Sequence, residues 1–380
     1  MKAAVISATM RLARMAGLAV ALGAGLVACG SDKPKPTPLT DVAPKIAGRQ
    51  VWQAKVDSVQ FPLGVAARNG RFHVAGTDGT VLALDADSGR ELWRAQAGAR
   101  LTAGVGSDGR FAAVVTDANE VVVFDEGKAA WRARLPSRTL TPPLVAGERV
   151  FVMTVDRVVH AFDVLDGRRL WVLQRSGDAL TLGQAGVLAA FKDTLVIGQG
   201  PRLAGVDPLR GTLRWEVPLA QPRGSNEVER LADLIGPALR VGNQVCARAF
   251  QAAVACVDAD RGTLQWSRNV GGTQAVGGSD AVIVGADASD RITAWRQASG
   301  EMLWTNEKLL FRGLGGAMST GKAVVFGDSE GRLHFIDRDS GDLVLRLATD
   351  GSAVVGAPVL AGATMLVATR NGGLFAFRPE

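Results

Sequence analysis

One pattern constrains this chain more than any other. An alternating apolar strand is followed by Asp, three residues, Gly, three residues and Trp, and the unit recurs along nearly the whole length. It reads Asp85, Gly89, Trp93, then Asp163, Gly167, Trp171, then Asp207, Gly211, Trp215, then Asp258, Gly262, Trp266. Asp125, Gly127, Trp131 is a shortened copy, Arg296, Gly300, Trp304 a variant, and Asp337, Gly341, Leu345 a worn copy with Leu in place of Trp. Trp52 stands alone near the N-terminus. Of the 8 Trp residues only Trp295 falls outside the pattern. Counting Leu345 there are eight such positions, spaced by about 42 residues on average, which is the length of a four-stranded propeller blade.

Each position has a physical reason. Asp bonds nearby backbone N–H groups and Gly accepts positive φ, so the pair ends one strand and turns the chain. The Trp then lies on the next strand, where its face can fill the wedge between adjacent blades. Strands alternate in polarity within a repeat, as in Thr80-Val-Leu-Ala-Leu-Asp85, and Asp78-Gly79 and Asn371-Gly372 mark hairpins. No stretch reads as a long amphipathic helix. After Leu345 the chain supplies three strands, near 358–360, 365–369 and 374–378, and stops. The lone Trp52 strand completes that last blade and removes the open edge. The expected fold is all-β: an eight-bladed β-propeller over residues 47–380, with four-stranded antiparallel blades and a ring closed by the N-terminal strand joining the C-terminal blade.

The N-terminus has a different character. Lys2, Arg11 and Arg14 precede an apolar run from Met15 to Ala28, too short for a comfortable membrane span. The run ends in Leu26-Val-Ala-Cys29-Gly30, which resembles a bacterial lipobox. Residues 1–28 are therefore expected to be a lipoprotein signal peptide and Cys29 the lipidated first residue of the mature chain. Pro34, Pro36, Pro38 and Pro44 among polar residues make 29–46 a semi-stiff tether with no capacity to build a core. By the sorting rule that the lipobox resemblance brings with it, the absence of Asp after Cys29 favours the outer membrane. The net charge is +6. Removing the three basic residues of the signal leaves a mildly basic chain without cationic runs, so no nucleic-acid partner is expected.

Cys246 and Cys256 flank a predicted hairpin turning near Gln251. They are either a disulfide formed in an oxidising compartment or two buried thiols, and strand register decides between them. His73, His160 and His334 are expected as exposed or half-buried strand residues. His160 and His334 occupy one repeat position four blades apart, on opposite sides of an eight-bladed ring, and can share a metal only if they line its axis. No phosphate loop, Ser-His-Asp arrangement or zinc spacing is present. The residues themselves thus point to no catalytic group, no metal and no cofactor.

The core Ala83-Leu-Asp85 to Trp93 is similar to the repeat of pyrroloquinoline-quinone-type propellers, used by quinoprotein alcohol dehydrogenases and by the BamB family of outer-membrane assembly lipoproteins. The lipobox, the size and the eight repeats resemble BamB over essentially all of residues 29–380. The longest inter-Trp gap, from Trp215 to Trp266, holds Gly224-Ser-Asn-Glu227-Val-Glu-Arg230-Leu231-Ala-Asp233. This is similar to a BamB loop that, with a Leu-x-Leu-Arg loop one blade earlier, contacts the insertase BamA. Here Leu180-Thr-Leu182 stands at the earlier place, followed by Gly183 instead of Arg, and Ile235 replaces a second expected Asp. The resemblance implies a non-catalytic scaffold lipoprotein of the Bam complex, a monomer within it. It would bind BamA through Leu180, Leu182, Glu227, Arg230, Leu231 and Asp233 and work beside the other Bam subunits. It would be lipid-anchored on the periplasmic side of the outer membrane. Exposed sheet edges could hold nascent outer-membrane proteins by β-augmentation. The alternative is a periplasmic quinoprotein or other propeller enzyme, which would be expected to carry an adjacent Cys pair and calcium ligands; no adjacent Cys pair is present.

Overall fold

The computed structural model describes residues 34–61, 64–175, 180–222 and 224–379. Cys29 and the segment 1–28 lie outside them. The described residues form eight four-stranded antiparallel sheets and no helix. In chain order, blades 1 to 7 span 66–96, 106–134, 144–173, 188–218, 234–268, 277–306 and 318–348. Blade 8 takes its first three strands from 359–379 and its fourth from Gly48–Lys55, which pairs antiparallel with Gly373–Pro379. Ring closure by the chain's two ends is thus as expected. The first strands of successive blades lie beside one another and form the inner ring. Within each up-and-down blade, the turn between strands two and three and the link to the next blade share one face. The other two turns share the opposite face.

The core is a ring of layers between blades. Val150, Val152 and Phe162 of blade 3 pack on Phe111, Ala113 and Val123 of blade 2, and a similar cluster fills each succeeding seam. Second and third strands are therefore covered on both sides. Phe111–Val115 and Val282–Ala286 are buried at every residue. This corrects the expectation for the histidines. His73, His160 and His334 lie on these strands and are 0%, 2% and 0% exposed. Burial, with Arg71 adding to it, holds His73 down at about 4; burial also lowers His160 and His334.

The repeat acts across the seam between blades. Each Trp lies under the glycine of the following blade's Asp-to-Gly turn: Trp52 under Gly89, Trp131 under Gly167, Trp171 under Gly211, Trp266 under Gly300 and Trp304 under Gly341. A Cβ on Gly211 would fall 2.7 Å from the Trp171 ring. In these five pairs the indole N–H also donates to the carbonyl of the residue after the repeat's Asp or Arg, at 2.8–3.1 Å. The turn itself is held by its carboxylate. The Ser88 hydroxyl and amide keep Asp85 below the ordinary carboxylate range, and the Leu209 amide does so for Asp207.

The same geometry explains the worn repeat. Leu345 faces blade 8, where the two chain ends stand in place of an Asp-to-Gly turn, so an indole there has no seat. Leu345 instead lies against Gly48. Elsewhere the cross-strand partner of Trp is mostly small, as in Ala83 opposite Trp93, Ala161 opposite Trp171 and Ala294 opposite Trp304. Opposite Leu345 it is Phe335. Volume lost on one strand is restored on the other, as close packing requires.

The Pro-rich stretch before the first strand is extended, as its composition requires. Within the stretch expected as a semi-stiff tether, the residues from Thr37 onward are docked on the propeller. The Thr37 N–H donates to the Leu310 carbonyl, the Lys45 N–H donates to Val344, and Leu39 packs on the apolar layer of blades 6 and 7.

Candidate functional site

Two links between blades lie next to each other on one face. The first, after blade 3, carries Leu180 and Leu182; the second, after blade 4, carries 224–233. The second is long enough to fold on itself. The Asn226 side chain accepts the Glu229 N–H at 2.9 Å, and the Glu229 carboxylate reaches back to the Ser225 N–H at 2.7 Å. That reciprocal arrangement closes a single turn in the manner of a capping box. The Ser225 amide holds the Glu229 carboxyl below its ordinary range. The turn leaves Glu227 exposed and Val228 72% exposed, while Arg230 and Leu231 are half-buried at its base.

Asp233 pins the two links together. One carboxylate oxygen accepts the Leu182 backbone N–H at 2.7 Å, and the other pairs with Arg157 Nη2 at 2.8 Å. The same Arg157 nitrogen donates to the Leu180 carbonyl at 3.1 Å. The Arg157 and Asp233 side chains are only 14% and 15% exposed, so the pair is sheltered from screening. Below the pin, Gly236 N–H donates to Ala185 and Leu234 N–H to Gly200, which ties both links to the rigid strands.

A groove runs beside the pin, between Leu180 on one wall and Arg230 and Leu231 on the other. Its floor carries Glu216 between Arg175 at 2.9 Å and Arg202 at 3.2 Å. Such a surface offers aliphatic contacts framed by fixed charges. Its described lining residues include no nucleophile–base pair. Among the described residues no group of three or more His, Cys, Asp or Glu side chains is placed to hold a metal ion.

The six residues singled out from the sequence all fall on this face, but their roles differ. Leu180, Leu182, Glu227, Arg230 and Leu231 line or flank the groove, whereas the Asp233 carboxylate is turned inward to the pin. Gly183 is exposed, and a Cβ there would meet nothing within 4 Å. Ile235 is 3% exposed and lies in the first strand of blade 5, so it belongs to the core. Sequence reasoning missed Arg157 and the Arg175–Glu216–Arg202 array. Arg157 sits on a turn with φ 63°, and nothing local marks its partner 76 residues away. Val228 was within reach, since it is an apolar residue inside the charged loop.

Cys246 and Cys256 face each other across the second and third strands of blade 5, with Cα atoms 4.0 Å apart, and are joined as a disulfide. Both are 0% exposed.

A family model described as outer membrane protein assembly factor BamB matches residues 39–101 and 77–306. Among curated proteins, the BamB of Burkholderia pseudomallei is 37% identical over 93% of this chain and 94% of its own length. That of Bordetella pertussis is 34% identical over 96% and 95%. Among solved structures, BamB from Moraxella catarrhalis superposes with a TM-score of 0.79 at 22% identity, covering 87% of this chain and all of that one. The quinohemoprotein alcohol dehydrogenase of Comamonas testosteroni gives 0.65 at 14% identity, over 87% and 76%, a likeness of fold alone.

Proposed function

This chain belongs to the BamB family of outer membrane protein assembly factors, and on that footing we propose that it is a non-catalytic scaffold of the Bam complex that binds the periplasmic domains of BamA. The observation that carries the reading is the pinned pair of links. Two loops from successive blades meet on one face, are locked by Asp233, and present Leu180, Leu182, Val228 and Leu231 beside fixed charges. Apolar anchors ringed by oriented polar groups are what a protein partner's surface requires. Acylation at Cys29 would hold the propeller to the periplasmic side of the outer membrane, where nascent outer-membrane proteins and the remaining Bam subunits are within reach. The likeness to quinohemoprotein dehydrogenases supports no catalytic reading, because it is one of architecture.

The test is capture from detergent-solubilised outer membrane. The wild type should recover BamA. Leu182→Asp, which puts a charge among the apolar anchors, and Asp233→Arg, which sets two cations at the pin, should recover little while keeping the wild-type unfolding midpoint. Wild-type recovery by both variants would remove the interface from these loops.

A further inference from the structure

We propose that residues 37–45 are a built strap that fixes where the lipid tether leaves the propeller, on the same face as the partner loops. The proposal rests on the reading of Cys29 as the anchor and of the pinned links as the partner surface. What it adds is a geometric relation between them.

The strap has a prepared seat. Arg312, 4% exposed, donates from Nε to Asp328 at 3.0 Å and from one Nη to Glu330 at 2.5 Å. Its other Nη donates to the Thr37 carbonyl at 3.1 Å. Arg346 donates from Nε to His334 Nδ1 at 3.3 Å and from Nη1 to the Thr40 carbonyl at 2.9 Å. Because His334 accepts at Nδ1, its Nε2 carries the proton and donates to Asp328 at 3.0 Å. His334 and Asp328 are both fully buried, so one sheltered carboxylate orients both guanidinium groups. Each guanidinium is thereby aimed at a strap carbonyl. Leu39 fills the apolar layer between these contacts, and backbone bonds at Thr37 and Lys45 close the two ends. A passive linker would not be met by a seat of this kind.

Direction follows from topology. Leu310 and Arg312 belong to the link from blade 6 to blade 7, and Asp328 and Glu330 to the turn between strands two and three of blade 7. Both lie on the face that carries Leu182 and Asp233. The strap starts there and runs along the fourth strand of blade 7, past Arg346 and then Val344, to Gly48 on the far face. The tether therefore leaves beside the partner-binding face, about three blades round the ring from the pinned loops. Eight peptide steps separate Cys29 from Thr37, so the anchor lies within about 29 Å of the exit point; with the strap released, the first fixed point is Gly48 and the limit rises to about 68 Å.

Effective concentration within one membrane falls roughly as the −3/2 power of tether length, so release should weaken co-membrane capture about fourfold. The experiment uses the full acylated protein in vesicles that also hold BamA. Leu39→Asp alters only the strap and leaves the buried Asp328–His334 pair intact, while Arg346→Ala alters only the seat. Three quantities are read: hydrogen exchange at the Thr37 and Lys45 amides, binding of soluble BamA periplasmic domains, and capture of BamA in the same membrane. The expected result is protected amides in the wild type that exchange at least tenfold faster in both variants, unchanged binding of soluble domains, and the fourfold loss of co-membrane capture. Free-peptide exchange rates in the wild type, or undiminished capture after release, would overturn the proposal. Failure of the wild type to bind soluble BamA domains would sink the partner reading instead, and a mature N-terminus without acyl mass would sink the anchor. In either case the exchange rates still decide whether the strap is docked.

Discussion

Replacing Asp233 by Ala tests the idea that this residue organises the site from behind. The substitution deletes the charge-assisted bond from the Leu182 amide at 2.7 Å and the sheltered ion pair with Arg157 at 2.8 Å. A hydrogen bond to a charged acceptor contributes about 1.5–3 kcal/mol net, and the poor exposure of both partners places this one toward the upper end. The Leu182 amide donates to this carboxylate in a surface link, away from the buried strands, so most of the loss should appear as local opening and little as global unfolding. About 3 kcal/mol corresponds to a hundredfold increase in the opening equilibrium. Native-state hydrogen exchange resolved at single amides is the assay. The Leu182 amide should exchange about a hundredfold faster in Asp233→Ala than in the wild type, while buried-strand amides such as Val196 and Val254 keep their protection. Capture of BamA should fall with the loss of preorganisation. If Leu182 keeps its wild-type rate, or if the whole propeller loosens equally, the pin is not what organises these loops.

Other outcomes follow from the same physics. His73 titrates near 4 when folded because burial opposes its charge, against an ordinary 6.5. The unfolded chain thus takes up the proton first, and stability present above pH 6.5 is lost as pH falls toward 4. Urea titrations at pH 7.5 and 5.0 should differ by about 2 kcal/mol from this residue, with His160 and His334 acting in the same direction, and His73→Leu should reduce the difference. Gly211→Ala places a Cβ 2.7 Å from the Trp171 ring at a backbone φ of 72°, and should cost about 2 kcal/mol of stability; a wild-type unfolding midpoint would contradict the seat assigned to Trp171. Replacing both Cys246 and Cys256 by Ala should lower stability by about 3 kcal/mol through the freed ten-residue loop. Reductant without denaturant should leave the wild-type bond intact because both sulfurs are buried.

What the sequence determined by itself was everything that repeats. Trp at a regular interval, with Asp and Gly at fixed offsets before it, specifies blade number, turn position and the closing joint. Each copy solves the same local problem, and eight copies make the solution visible above the noise of single residues. Even the exceptions are informative once the ring is known: Leu345 marks the one junction where the next blade has no turn to cover. The tertiary structure decided the matters that occur only once. Arg157 and Asp233 are far apart in the chain and meet because blades 3 to 5 are neighbours in a ring. His73, His160 and His334 sit on strands whose alternation implies one open side, yet face-to-face stacking of blades closes both. The Pro-rich stretch has the composition of a semi-stiff tether, and it is held from Thr37 onward because Asp328 and His334 set two arginines at the spacing of its carbonyls. Local patterns record local constraints, and a contact made once across a closed ring leaves no periodic trace in the sequence.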